Sequence, residues 1–195
     1  TESRGIDVVI SHKANVGNGL TLKTDLSGTL SSTKRVGNIH ASQILADNGQ
    51  INRYYSESSR VYLQEAVPRV KANLTNSLSV KKFDFFLRNV YFGQVTDPNT
   101  ADANGDGTID TAVVNGQTVA VEHPVWGARV ITDLSVGYKF TENIKVVVGA
   151  NNIFDVYPDE NLESLKSSNQ FTYSRNVSRF GQNGRFAFAR ISLSF

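Results

Sequence analysis

The chain has 195 residues and a formal net charge of +2, with no run of like charge, so its balance gives no case for nucleic acid or an anionic membrane surface as partner. It contains no cysteine and no methionine, which excludes disulfides, thiol nucleophiles and thiolate metal sites. No apolar run reaches the roughly 18 residues a membrane helix needs, which leaves strands, whose hydrophobicity hides at alternate positions.

Seven stretches alternate at period two, the spacing of a half-buried strand. The first runs near 4–14, with Ile6, Val8 and Ile10 on one face. The second, near 19–35, sets Leu20, Leu22, Leu26 and Leu30 against Lys23, Asp25, Ser27 and Thr29. The third, near 68–80, sets Val70, Ala72, Leu74, Leu78 and Val80 against Arg69, Lys71, Asn73, Thr75 and Ser77. The fourth, near 82–96, carries Phe83, Phe85, Leu87 and Tyr91 on one face but Phe86, Val90 and Phe92 on the other, and neither face is assignable from pattern. The fifth, near 127–140, sets Val130, Leu134, Val136, Tyr138 and Phe140 against Arg129, Asp133, Ser135 and Lys139. The sixth, near 143–153, offers Ile144, Val146, Val148 and Ala150. The last strand places Ala187, Ala189, Ile191, Leu193 and Phe195 opposite Arg190, Ser192 and Ser194.

Connections alternate too. Asn15–Gly19, Val80–Lys82 and Thr141–Asn143 are tight turns, whereas 36–66, 97–126 and 154–183 are long, polar and rich in Asn, Asp, Ser and Gly. Compact soluble domains rarely carry such long irregular loops. An outer-membrane barrel does, with short periplasmic turns and longer extracellular loops. The expected fold is therefore all-β, an antiparallel transmembrane β-barrel segment of about seven meandering strands. Its apolar faces meet lipid, its polar faces line a lumen, and Tyr138, Phe140 and Phe195 share the periplasmic rim. The alternative is a soluble sandwich with one wet face, in which period two is equally natural. The chain opens on Thr1 without an initiator or leader, which is expected of a mature segment or a fragment.

The sharpest local motif is Asp102-Ala-Asn-Gly-Asp-Gly-Thr-Ile-Asp110. Asp102, Asn104, Asp106, the Thr108 carbonyl and Asp110 are spaced like the front of a calcium loop, with Gly107 at the bend. Position twelve is Val113 instead of a bidentate glutamate, so the cage is incomplete unless Asp97 or Glu122 folds back onto it. Calcium is the one candidate cofactor, and an Asx-rich turn without metal is the equal alternative. Trp126 reads as an interfacial girdle residue in preference to a ligand platform. His12, His40 and His123 lack metal spacing. Arg53, Tyr54, Tyr55 and Arg60 in the first long loop, and Tyr173, Arg175 and Arg179 in the third, are candidate contacts for an anionic or aromatic ligand, or solvated decoration. Acids are dispersed, no nucleophile sits with a base, and no enzyme is implied.

Three stretches together resemble a known family. Gly149-Ala-Asn-Asn-Ile-Phe-Asp155 followed by Tyr157-Pro-Asp159 resembles the penultimate strand of TonB-dependent outer-membrane receptors. Phe180-Gly-Gln-Asn-Gly-Arg-Phe186 running to Phe195 resembles their last strand, and Arg4-Gly-Ile-Asp7 one some seven strands from the end. Glu65–Lys71 and Thr132-Asp-Leu-Ser135 add weaker matches, and the set covers the chain in order. The resemblance implies that residues 1–195 are the C-terminal portion of a 22-stranded barrel, without its plug domain and N-terminal strands. It implies a receptor for a scarce nutrient, foremost a ferric siderophore, in some members a vitamin or glycan. The partners implied are outer-membrane lipid, the missing plug and barrel strands, a small-molecule ligand, and TonB through the absent N-terminal region, in the outer membrane of a Gram-negative bacterium. The rival function is that of a secreted calcium-binding β-sandwich in adhesion or glycan binding.

Overall fold

The structure, a computed structural model, describes residues 1–17, 19–166, 170–177 and 179–195. Asn18 of the first expected turn, and 167–169 and 178 of the third expected loop, lie outside the described residues. Seven strands form one antiparallel sheet: β1 (Glu2–Asn15), β2 (Leu20–Lys34), β3 (Val70–Val80), β4 (Phe83–Phe92), β9 (Arg129–Lys139), β10 (Ile144–Asn151) and β11 (Phe186–Leu193). Their order in the sheet is their order in the chain, an uninterrupted meander with β1 and β11 at its edges. No helix among the described residues is long and apolar enough to cross a membrane, which says nothing of strands.

Register fixes the faces, because residues directly opposite one another share a side. Ile6 pairs with Leu30 and Leu30 with Val70. Lower down, Leu78 faces Phe85, Phe85 faces Val136, and Val136 faces Val148. Leu22, Leu74, Leu134, Val146 and Leu193 thus lie on one face, while Lys23, Asp133 and Arg190 lie on the other. The register also settles β4. Phe83, Phe85, Leu87 and Tyr91 join the apolar face, and Phe86, Val90 and Phe92 join Asp84 and Arg88 on the polar one.

Neither face is covered by a second sheet among the described residues. Apolar side chains in the middle of the sheet stay open, with Leu74 at 37%, Leu134 at 37% and Val148 at 53% exposure. A sandwich would have buried them between two layers, so the sandwich alternative is not the architecture of this chain. At one end of the sheet Phe83, Tyr138 and Phe140 cluster, with ring centroids 4.8 Å apart in both pairs. Asn143 beside them holds the carbonyl of Ser194 through its amide at 2.9 Å.

The first two long connections depart from expectation, since helices and short strands form within them. The first contains α1 (Gln43–Asp47), α2 (Ile51–Tyr54) and α3 (Glu57–Gln64). Ser42 and Ser56 cap α1 and α3 by accepting the backbone N–H groups of Leu45 and Ser59. The expected fourth strand stops at Phe92, and the chain re-enters as β5 (Val95–Thr96), paired with β8 (Val125–Trp126). Between them β6 (Thr111–Val114) and β7 (Gln117–Ala120) form a hairpin. Its two-residue turn is Asn115-Gly116, both at positive φ as a type I′ turn demands. The buried apolar cluster lies here, under the loops: Ala66, Val95, Trp126 and Val177, with Leu162 packed against it.

Candidate functional site: a polar wall under a loop cap

The polar face of the sheet is a wall of paired charges. Asp84 accepts the Ser79 hydroxyl at 2.6 Å and the Lys145 ammonium at 2.5 Å, with Lys139 at 3.9 Å. Lys139 and Lys145 stand directly opposite each other, so Asp84 relieves a like-charge pair from the adjacent strand. Gly137 leaves room for this, because a Cβ there would come 2.9 Å from the Lys145 Cε. Asp133 ties the upper wall, taking Arg88 Nε at 2.8 Å and the Asn152 N–H at 2.8 Å. Toward β1, Asp25 accepts Ser11 and Lys23, each at 2.7 Å, and Asp7 accepts Thr29 at 2.6 Å. Lys13, opposite Lys23 on the edge strand, has no ion-pair partner among the described residues.

The cap is pinned by Asp97, which is fully buried. Its carboxylate accepts the Trp126 indole N–H at 3.3 Å, the Ser174 hydroxyl, and the Asn99 N–H at 2.9 Å. One side chain thereby holds the second and third loops to β8. Trp126 is correspondingly 7% exposed, a core residue of the cap instead of the girdle residue its sequence position suggested. The indole faces inward because its one donor has a buried acceptor there. Nothing local in the sequence marked Asp97, since its partners lie far along the chain.

The loop residues singled out from sequence divide into two groups. Arg60 is spent inside the cap, with Glu57 at 2.6 Å and Glu65 at 2.8 Å. Burial pushes the Glu65 carboxyl up, but hydrogen bonds from Arg60 and Thr96 outweigh it and hold the group below the ordinary range. Arg179 is also a strut, its side chain 3% exposed. It donates to the carbonyls of Gly93 at 3.3 Å and Gly127, and to Asp159 at 3.1 Å. Burial presses its guanidinium downward against the pull of Asp159. Neither arginine is free for a ligand. Arg53 and Tyr54 remain exposed. Arg35 lies over the Tyr55 ring at 5.0 Å. Tyr173 stacks on Tyr157 at 6.3 Å, and Arg175 lies 4.2 Å over Phe171, so the third loop presents an aromatic and cationic surface. His12 lies on the apolar face, and His123 is built into the base of the second loop through the Asp97 and Asn99 carbonyls.

The Asp102–Asp110 stretch closes on itself. Asp102 accepts the N–H groups of Gly105, Asp106 and Gly107 at 2.7, 3.1 and 2.8 Å. Asp106 accepts both the hydroxyl and the N–H of Thr108, which hold its carboxyl below the ordinary range. Glu122 folds back to take the N–H groups of Ala103, Asn104 and Asp110. Among the described residues no three acidic or histidine side chains converge as a metal cage. An ion here would draw on Asn104 and the Thr108 carbonyl beside the carboxylates.

No protein-family model matches the chain, and no curated protein does. Among solved structures, the FpvAI–pyocin S2 complex aligns with 97% of the chain at 13% identity and a TM-score of 0.49. The ferripyoverdine receptor of the outer membrane of Pseudomonas aeruginosa, bound to ferripyoverdine, aligns with the same figures: 97%, 13% and 0.49. The chain spans 19% of the length of each of these chains.

Proposed function

We propose that this chain is the C-terminal part of the β-barrel of a TonB-dependent outer-membrane receptor. Such a receptor captures a scarce nutrient, here a ferric siderophore, and imports it with energy delivered through TonB, with no chemistry on the ligand. The observation that carries the reading is the single-layer sheet with one apolar face open and one charged face paired. Water on both faces leaves the apolar one unexplained, whereas lipid on one side and an aqueous lumen on the other suit both. The three central strands β3, β4 and β9 have 11, 10 and 11 residues, against about 9–11 for a tilted membrane strand, while β1 and β2 run longer at 14 and 15 and β10 and β11 shorter at 8 each.

The ordered motifs from Arg4 to Phe195 support the family. In this reading β1 and β11 pair with strands of the same receptor outside this chain, which removes both raw edges. Plug and TonB contact belong to its N-terminal region. Fractionation of the full-length protein from Gram-negative cells tests the class. It should appear in the outer membrane, need detergent for extraction, and migrate differently when heated. Recovery in soluble material would overturn the barrel. Deletion under iron limitation should abolish uptake of a radiolabelled ferric siderophore, and normal uptake of every siderophore tried would overturn the nutrient.

A further inference from the structure

Two clefts open at the loop end of the apolar face, and both are lined by Arg69, which precedes β3 and so does not keep the place opposite Val70 that alternation gave it. One, of 480 Å³, runs between Val70, Tyr91 and Gly93 below and Glu65, Gln94 and Thr96 above. The other, of 340 Å³, runs over Ile6 and Leu30, with Ser32 and Arg4 at its top. Each has an apolar floor continuous with the sheet face and a polar upper edge. Arg4 is paired with Glu2, and Arg60 is shared between Glu57 and Glu65. Arg69 has no carboxylate within ion-pair distance among the described residues, although its charge helps hold the nearby Glu65 carboxyl down, and the hydrogen bond its guanidinium makes there is a long one, 3.5 Å, to the Gln64 carbonyl. One guanidinium without a close ion pair therefore stands between two amphipathic clefts.

Their height follows from the register. Val80 faces Phe83 at the aromatic end of the sheet, and Val70 lies ten residue steps along β3. At about 3.4 Å per residue and a tilt of roughly 45°, those steps rise about 24 Å, against an apolar band of about 25 Å in outer-membrane barrels. The floors of both clefts thus end where headgroups begin, with Arg69 at that boundary.

We propose that this rim, on the barrel reading above, binds an anionic lipid of the outer leaflet. Its phosphate takes Arg69, and its chains lie down the floors of the two clefts. Guanidinium suits phosphate because its forked donors match the oxygens and its hydration is weak. Free phosphate would use the arginine but leave Val70, Tyr91, Ile6 and Leu30 without an occupant.

The test uses the full-length receptor in detergent, with phosphatidylglycerol, phosphatidylcholine or inorganic phosphate added, and native mass spectrometry of retained molecules. Phosphatidylglycerol should be retained several-fold over phosphatidylcholine. Arg69→Gln should lose about tenfold of that retention, while Lys81→Gln in the turn at the opposite rim should keep it. Equal retention of the two lipids, or retention unchanged in Arg69→Gln, overturns the site. Displacement of the lipid by millimolar phosphate overturns the lipid in favour of a bare anion. A receptor that inserts into bilayers but shows no lipid preference loses this inference alone. One that fails to insert loses the barrel reading as well.

Discussion

The sheet and the loop cap solve opposite problems within one chain. In the cap, Val61, Val95 and Trp126 are buried, and polar Asp97 is buried with them only because three donors surround its carboxylate. In the sheet, Leu74, Leu134 and Val148 stay open, while on the other face Arg88 pairs with Asp133 and Lys145 with Asp84 across the strands. The cap is built as a water-soluble domain is built, with its core inside. The sheet has no inside. On the barrel reading proposed above, two solvents act on one sequence, and hydrophobicity alone does not say where a residue belongs until its solvent is known.

The sharpest way to break the comparison is a charge on the open face. If the barrel reading holds, Leu74→Arg in the full-length protein should cost about 2–4 kcal/mol of folding free energy in lipid, the midplane penalty for arginine. Asn73→Lys, one residue along β3 and on the polar wall, should stay within about 0.5 kcal/mol. Reversible unfolding in bilayers measures both. Equal costs would mean that the two faces meet the same solvent.

The cap should fail separately from the sheet. Asp97→Ala strands the Trp126 indole and the Ser174 hydroxyl in a buried place, at about 1–3 kcal/mol for an unsatisfied group. Proteolytic nicking between 97 and 126 should rise, while heat-modified mobility of the barrel stays as it was. Simultaneous loss of both would make cap and sheet one cooperative unit. Glu65 gives a gentler version. Its carboxyl is held below its ordinary value of 4.5, so its contribution is complete above that value and is lost as pH falls through the lower, folded one. Loop protection from an acid-active protease should therefore weaken below about pH 4.5, and Glu65→Gln should flatten that dependence.

Much of the sheet was legible because period two is a strong local signal and the short turns fix its phase. β4 was not, because Phe86, Val90 and Phe92 break the pattern for reasons outside the strand. Phe92 packs against Phe180 at 5.5 Å and under the Lys71 ammonium at 5.0 Å, both brought there by the fold. Phe86 borders the groove that Gly137 and Lys145 open. In the loops the local signals are Ser42 and Ser56 as helix caps, and Asn115-Gly116 as a hairpin turn. The Asp97 pin had no such signal, since a lone Asp before Pro98 looks like any loop residue until Trp126 and Ser174 arrive beside it. The same distance effect hid the roles of Arg60 and Arg179 as struts within the cap.

The smallest expected effect concerns the Asp102 loop, where the cap meets outside solvent. We propose that calcium binds there weakly, ordering the hairpin without taking part in transport. Asp102 already spends three of roughly four lone-pair sites on the N–H groups of Gly105, Asp106 and Gly107, so it has little left to offer an ion. Asp106 serves Thr108 twice, and Val113 stands where a bidentate glutamate would close the cage. Affinity then belongs at the extracellular end of the range, on the order of 10⁻⁴–10⁻³ M. The loop's own hydrogen bonds predict that most of its order persists in chelator, so calcium should slow protease nicking only a few-fold. Asp106→Ala should remove that calcium-dependent increment. Asp102→Ala should instead raise nicking with calcium and chelator alike, because it removes three backbone contacts at once. Identical nicking of the unmodified protein across a calcium titration to ten times that range would leave an Asx-rich turn and no ion site.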